Sequence, residues 1–104
     1  MTHEEAMVAL AAHRNEIDAL DRELLDLLNR RTRVVESIGR IKQRMEMPVY
    51  EPKREQDVFR NVVGNNHGPL SHDALKRIFE RIIDEMRALQ KMGRDQEQQG
   101  EEKC

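Results

Sequence analysis

Apolar residues recur along the first half of the chain at alternating steps of three and four. This period is typical of the buried seam of a coiled-coil-like helix. No proline interrupts the series, and Thr2 and Glu5 form a capping-box pattern at its start, so we expect one long helix to about Met45. The apolar seam consists of Leu10, Ile17, Leu20, Leu24, Leu27, Val34, Ile38, Ile41 and Met45, and two polar residues, His13 and Arg31, interrupt it.

The second half of the chain predicts two shorter helices. Pro48 and Pro52 bracket a short connection, and Pro52 suits the first turn of a helix that runs to about Val63. A cluster of turn residues follows, after which Ser71 is expected to cap a third helix. The sequence therefore predicts an all-α fold with three helices per chain.

The predicted helices differ greatly in length. At about 1.5 Å per residue, the first would measure roughly 60 Å and the others about 18 and 33 Å. Because the short pair cannot cover the long seam, we expect a second copy to cover it in an intertwined homodimer. Residues 1–91 would form the domain, and the polar stretch 92–104, which lacks apolar periodicity, is expected to be a disordered tail.

Composition excludes several classes of function. Eighteen basic residues against twenty acidic ones leave the chain near neutrality, and three aromatic residues offer few stacking platforms, so neither a nucleic acid nor a membrane is an expected partner. The single cysteine is the last residue, and the histidines lack a matching ligand set, so we expect no disulfide, metal or cofactor. The N-terminus lacks the features of a signal peptide, which makes the cytoplasm the expected location.

The cation within the seam is the first candidate for chemistry. A half-buried arginine needs a counter-charge, so Arg31 either pairs with a carboxylate of a later helix or binds a ligand anion. Lys42 follows eleven residues later, which places it within about 20° of the same helix face at roughly 16 Å. Ile38 and Gly39 lie between the two cations and could form an apolar floor. The second cation favours an anion-binding pocket.

The start of the second helix adds Glu51, Arg54 and Glu55. The two glutamates are spaced i, i+4 and therefore share one face. Acceptors beside cations suit a ligand that carries hydroxyl as well as carboxylate groups. The alternative is an ordinary first turn, where acidic residues are favoured by the helix dipole.

Several ordered segments match a family pattern, namely residues 14–21, 24–31, 38–42, 48–55, 68–71 and 82–90. Together they resemble the all-helical chorismate mutases over roughly residues 8 to 91. The resemblance implies an intertwined dimer of three-helix chains that rearranges chorismate to prephenate on the shikimate route to phenylalanine and tyrosine, without a cofactor.

The resemblance also implies roles for individual residues. Arg31, together with Arg14 from the other subunit, would bind the two substrate carboxylates, and Lys42 and Gln90 would face the ether oxygen. Met86 stands on the substrate-binding face where the family usually has serine, and a thioether cannot donate a hydrogen bond.

The remaining site residues would surround the ring. By the same resemblance, Glu51 and Glu55 would meet the ring hydroxyl and its surroundings, and Glu55 is also a catalytic candidate. Arg54 would line the site, with Ile38 and Ile83 as apolar walls.

Two other functions stay open from the sequence. The scaffold also suits an isochorismate-pyruvate lyase, although the glutamate pair favours the mutase. A non-catalytic regulatory dimerisation module is the second alternative, and only Met86 favours it. A partner enzyme of the same pathway is compatible with either enzymatic activity.

Overall fold

The computed structural model describes residues 1–102, with side chains through Gln96. Three helices make up the described chain: α1 (His3–Arg44), α2 (Pro52–Gly64) and α3 (His72–Glu102). No strand occurs among these residues, so the all-α, three-helix prediction is confirmed. The chain divides into two compact units, Met1–Arg33 and Val34–Cys104. The first consists of one helical stretch, and the second contains the end of α1, α2 and α3.

The helices begin where the sequence predicts. The backbone N–H of Glu5 donates to Thr2 Oγ1 at 3.1 Å, and the N–H of Ala74 donates to Ser71 Oγ at 3.1 Å. Each hydroxyl therefore satisfies a backbone donor that has no partner within its helix. Pro52 occupies the first turn of α2, where its missing N–H costs nothing.

Helix α3 is longer than the sequence predicts. It continues past Lys91 to Glu102, so residues 92–102 are helical where a disordered tail is expected, and the last two residues lie outside the described part. Arginine, glutamine and glutamate dominate this stretch and are good helix formers, which outweighs its lack of an apolar face. Arg94 also ties the extension to the α1–α2 connection, because its Nη2 donates to the carbonyl oxygen of Met47 at 2.9 Å.

Packing within the second unit is concentrated where α2 meets α3. The α2 face formed by Val58, Phe59, Val62 and Val63 is half-buried, as sequence periodicity predicts. Among the described residues, Ile83 is the only buried apolar side chain, and Lys42 is the only buried polar one. The nine apolar seam residues, by contrast, are between 42% and 68% exposed.

A membrane-spanning segment is not found within the described residues, because no helix there combines the necessary length with sufficient apolar character.

Candidate active site

Lys42 is the central side chain of the candidate site. It lies near the end of α1 and is only 8% exposed. Its Nζ donates to the carbonyl oxygen of Val49 at 3.0 Å and lies 2.5 Å from Glu51 Oε1. Both partners come from the connection that leads into α2, so this segment folds back over the end of α1. A buried ammonium needs such partners to offset its desolvation.

A second ion pair joins α2 to α3. Arg87 Nε donates to Glu55 Oε2 at 3.1 Å, and Arg87 Nη2 donates to Glu55 Oε1 at 2.5 Å. The guanidinium also lies over the Tyr50 ring, 4.9 Å from its centroid. The hydrogen bonding to Glu55 raises the pKa of Arg87 from its ordinary value, against the opposing effect of partial burial. This two-point geometry is the strong form of the arginine–carboxylate pair.

Gln90 lies against the final turns of α1. Its Nε2 donates to the carbonyl oxygen of Val35 at 3.0 Å. A Cβ atom added to Gly39 would lie 3.3 Å from Gln90 Cγ, so the glycine leaves room for this side chain. Gly39 precedes Lys42 by three residues on the same helix face. The amide of Gln90 is therefore on the face of α1 that carries the buried lysine.

The second unit thus contains most of the predicted site. Ile83 is buried, whereas Ile38 and Arg54 are exposed and Met86 is half-buried. Glu51 immediately precedes α2 and Glu55 lies in its first turn, and their carboxylates bind different cations, Lys42 and Arg87.

Arg14 and Arg31 belong to the first unit. Arg14 is exposed and Arg31 is half-buried. Their convergence with the second-unit residues on one ligand stays a prediction, as do the ligand contacts of every candidate site residue.

Sequence reasoning missed Arg87 and Tyr50. Helical spacing offered a signal for the first, because Arg87 follows Ile83 by four residues and precedes Gln90 by three, which places all three on adjoining parts of one face. For Tyr50 no comparable signal exists, since it lies in the irregular connection, whose path depends on contacts distant in sequence.

The described residues contain no group of three or more histidine, cysteine, aspartate or glutamate side chains arranged to hold a metal ion. The chemistry that the cluster can perform with its own groups is electrostatic: it can fix anionic and hydroxyl groups of a ligand and present a desolvated cation to developing negative charge.

The amino-acid sequence is similar to a known protein family and to several of its members. The family model described as chorismate mutase type II matches residues 13–91. A bifunctional chorismate mutase/prephenate dehydratase of Aquifex aeolicus is 35% identical over 89 residues, which cover 82% of this chain and 25% of that protein. The chain spans about a quarter of the length of such bifunctional relatives.

Two solved structures are similar over most of their length. Chorismate mutase from Thermus thermophilus (form II) is 32% identical with a TM-score of 0.78, and the match covers 80% of this chain and 94% of that one. Chorismate mutase from Helicobacter pylori in complex with prephenate is 36% identical with a TM-score of 0.76, covering 81% and 91%. Because the family model matches most of the chain and includes parts of all three helices, the chain belongs to the type II chorismate mutase family.

Proposed function

We propose that this chain is a chorismate mutase that converts chorismate to prephenate. The observation that supports the proposal is the buried Lys42, whose ammonium contacts Val49 and Glu51 on the helix face where Gln90 lies. The chain that carries it matches the family over residues 13–91. The relative from Helicobacter pylori was solved with prephenate, the product that this reaction would form.

The rearrangement is unimolecular, because one carbon–oxygen bond breaks as one carbon–carbon bond forms. The protein must hold a flexible dianion in its compact reactive shape and stabilise the negative charge that grows on the ether oxygen. A lysine has three N–H donors, and the contacts with Val49 and Glu51 use two of them. We assign the third donor of Lys42 to the ether oxygen, with the amide of Gln90 beside it.

The other candidates surround this centre. Arg31, with Arg14 of the other subunit, would hold the carboxylates, Arg54 would line the site, and Glu55 would accept a hydrogen bond from the ring hydroxyl. Glu51 would approach the ring and hold Lys42 in place. Ile38, Ile83 and Met86 would form the apolar surface on which the substrate lies.

The active form in this proposal is a homodimer. The support is the exposure of the apolar seam, all nine of whose residues are at least 42% exposed in the single chain. An unpartnered stripe of that extent favours a protein interface. A second copy of α1 would cover it and bring Arg14 to the neighbouring site.

Substrate tests separate the mutase from its nearest alternative. The purified protein should consume chorismate and form prephenate, while isochorismate should remain unchanged and release no pyruvate. Pyruvate formation from isochorismate with no reaction of chorismate would identify a lyase. Inertness toward both by the folded protein would favour the regulatory module.

Met86 is expected to weaken substrate binding. Met86→Ser introduces a hydroxyl that can donate to a substrate carboxylate, so KM for chorismate should fall about threefold to tenfold, the worth of one hydrogen bond. Met86→Ala, which removes the thioether without adding a donor, is the matched control. An unchanged or higher KM for the serine variant would contradict the assignment.

Gly39 should matter through the space it leaves for Gln90. Gly39→Ala should leave thermal stability equal or higher, because alanine is the better helix former by about 1 kcal/mol, yet lower kcat about tenfold by displacing the amide. Gly93→Ala is the control, since a Cβ at that α3 position meets nothing within 4 Å. Wild-type turnover in Gly39→Ala would remove Gln90 from the proposed centre.

Two wider expectations accompany the proposal. The bifunctional relatives join a chorismate mutase to a prephenate dehydratase by name, and we infer that prephenate made by this chain passes to a separate or fused enzyme of the same pathway. We also infer a cytoplasmic location.

A further inference from the structure

Arg87 lies in the second unit and has no role in the reaction proposed above. Its guanidinium contacts both Glu55 of α2 and the Tyr50 ring of the preceding connection. Asp84, one turn earlier on α3, accepts a third hydrogen bond from Arg87 Nη1 at 3.4 Å. The guanidinium therefore ties the connection, α2 and α3 together at one point.

The pair is protected from solvent more than an ordinary surface pair. The side chains of Arg87 and Glu55 are 30% and 22% exposed, whereas those of the Arg81–Glu85 pair on the same helix are 77% and 60% exposed. Partial burial weakens solvent screening, so the orientation and charge of this pair have larger effects than those of an exposed pair.

The negative charge of Glu55 explains why this carboxylate needs a cationic partner. A bare carboxylate beside a dianionic substrate would repel it, and this repulsion is strong where solvent is partly excluded. Arg87 neutralises Glu55 yet occupies only one lone pair on each oxygen, so the carboxylate keeps acceptor capacity for a hydroxyl group. The forked geometry also fixes the plane of the carboxylate.

On these grounds we propose that Arg87 is a positioning residue: it orients the Glu55 carboxylate toward the ring hydroxyl and cancels its charge against the substrate dianion. The inference rests on the proposed chorismate mutase function. The contact with Tyr50 also helps Arg87 to position the connection, which carries the two groups that bind Lys42.

The kinetics of four variants, namely Arg87→Ala, Arg87→Lys, Glu55→Gln and Glu55→Gln/Arg87→Ala, separate the effect of the Arg87 charge from that of its geometry. Arg87→Ala should raise KM about tenfold and lower kcat/KM about thirtyfold or more, because Glu55 loses both its partner and its orientation. Arg87→Lys keeps the charge without the fork, so KM should stay within about twofold of wild type while kcat falls about fivefold. In the Glu55→Gln background, Arg87→Ala should change kcat/KM by less than about threefold.

Arg81→Ala is the matched control, because it removes an exposed arginine–carboxylate pair from α3. It should leave kcat and KM at wild-type values. A merely structural Arg87 would lower the melting temperature of Arg87→Ala without changing either constant in the folded protein, and that result would overturn the proposal. If Arg87→Ala does not fold, unchanged kcat in Arg87→Lys would overturn it equally.

Tyr50 supplies a readout that needs no substrate. It is the single tyrosine of a chain without tryptophan, so the near-ultraviolet circular dichroism of tyrosine reports on this ring alone. The band should weaken in Arg87→Ala and persist in Arg81→Ala. A band unchanged by Arg87→Ala would refute the contact itself. If the band weakens in Arg87→Ala but the wild-type protein lacks mutase activity, the proposed function has failed while the contact between Arg87 and Tyr50 stands.

Discussion

Lys42→Ala should lower kcat for chorismate by about 10² to 10³-fold while the helices and the dimer persist. The loss follows from removing a buried cation whose interaction with the ether oxygen is strongest in the transition state, and single preorganised donors in comparable roles have effects of this size. The measurement is kcat at saturating chorismate, with far-ultraviolet circular dichroism and sedimentation to verify folding and assembly.

Two further variants sharpen that test. Lys91→Ala removes an exposed lysine from α3 and should retain wild-type kcat. Lys42→Met fills the same space without the charge, so a loss equal to that of alanine would assign the effect to electrostatics and not to a cavity. Wild-type turnover in a folded Lys42→Ala dimer would contradict the proposed role.

Mixing two inactive variants should restore about a quarter of wild-type activity. Arg14→Ala and Lys42→Ala subunits, unfolded together and refolded, should form hybrid dimers as about half of the total. If Arg14 acts in the neighbouring subunit, each hybrid contains one site with both defects and one with neither. Recovered chorismate turnover, compared with each variant refolded alone, is the readout.

The mixture of Arg31→Ala with Lys42→Ala is the control. These two residues are assigned to the same subunit's site, so every site in the hybrid keeps one defect and no activity should return. Recovery in this control, or none in the Arg14 mixture, would contradict the proposed division of the site between subunits. The exposed position of Arg14 on its own chain is compatible with a role in a neighbouring site.

Local rules were sufficient for the N-termini of the three helices. The caps at Thr2 and Ser71 and the proline at position 52 act within one turn, so their effects can be predicted without knowing the rest of the fold. The C-terminus of α3 could not be placed in this way. Its polar residues lack a core face but favour helix, and the anchoring contact from Arg94 to Met47 joins residues far apart in sequence.

Sequence spacing could propose candidate site residues but not the groups with which they pair. Spacing along α1 predicted that Lys42 shares a helix face with Arg31. It could not predict the partners of Lys42, because Val49 and Glu51 reach the lysine only after the connection folds back. Likewise, the i, i+4 rule placed Glu51 and Glu55 on one face, yet it could not show that Arg87 binds only the second. Such pairings depend on how α2 packs against α3, which sequence periodicity does not encode.

The rate at which the purified chain converts chorismate to prephenate tests the proposed mutase activity itself. Chorismate absorbance should fall far faster than in buffer alone, prephenate should appear in equal amount, and Lys42→Ala should abolish most of the difference. Loss of chorismate no faster than in buffer, from a protein shown to be helical and dimeric, would contradict the account.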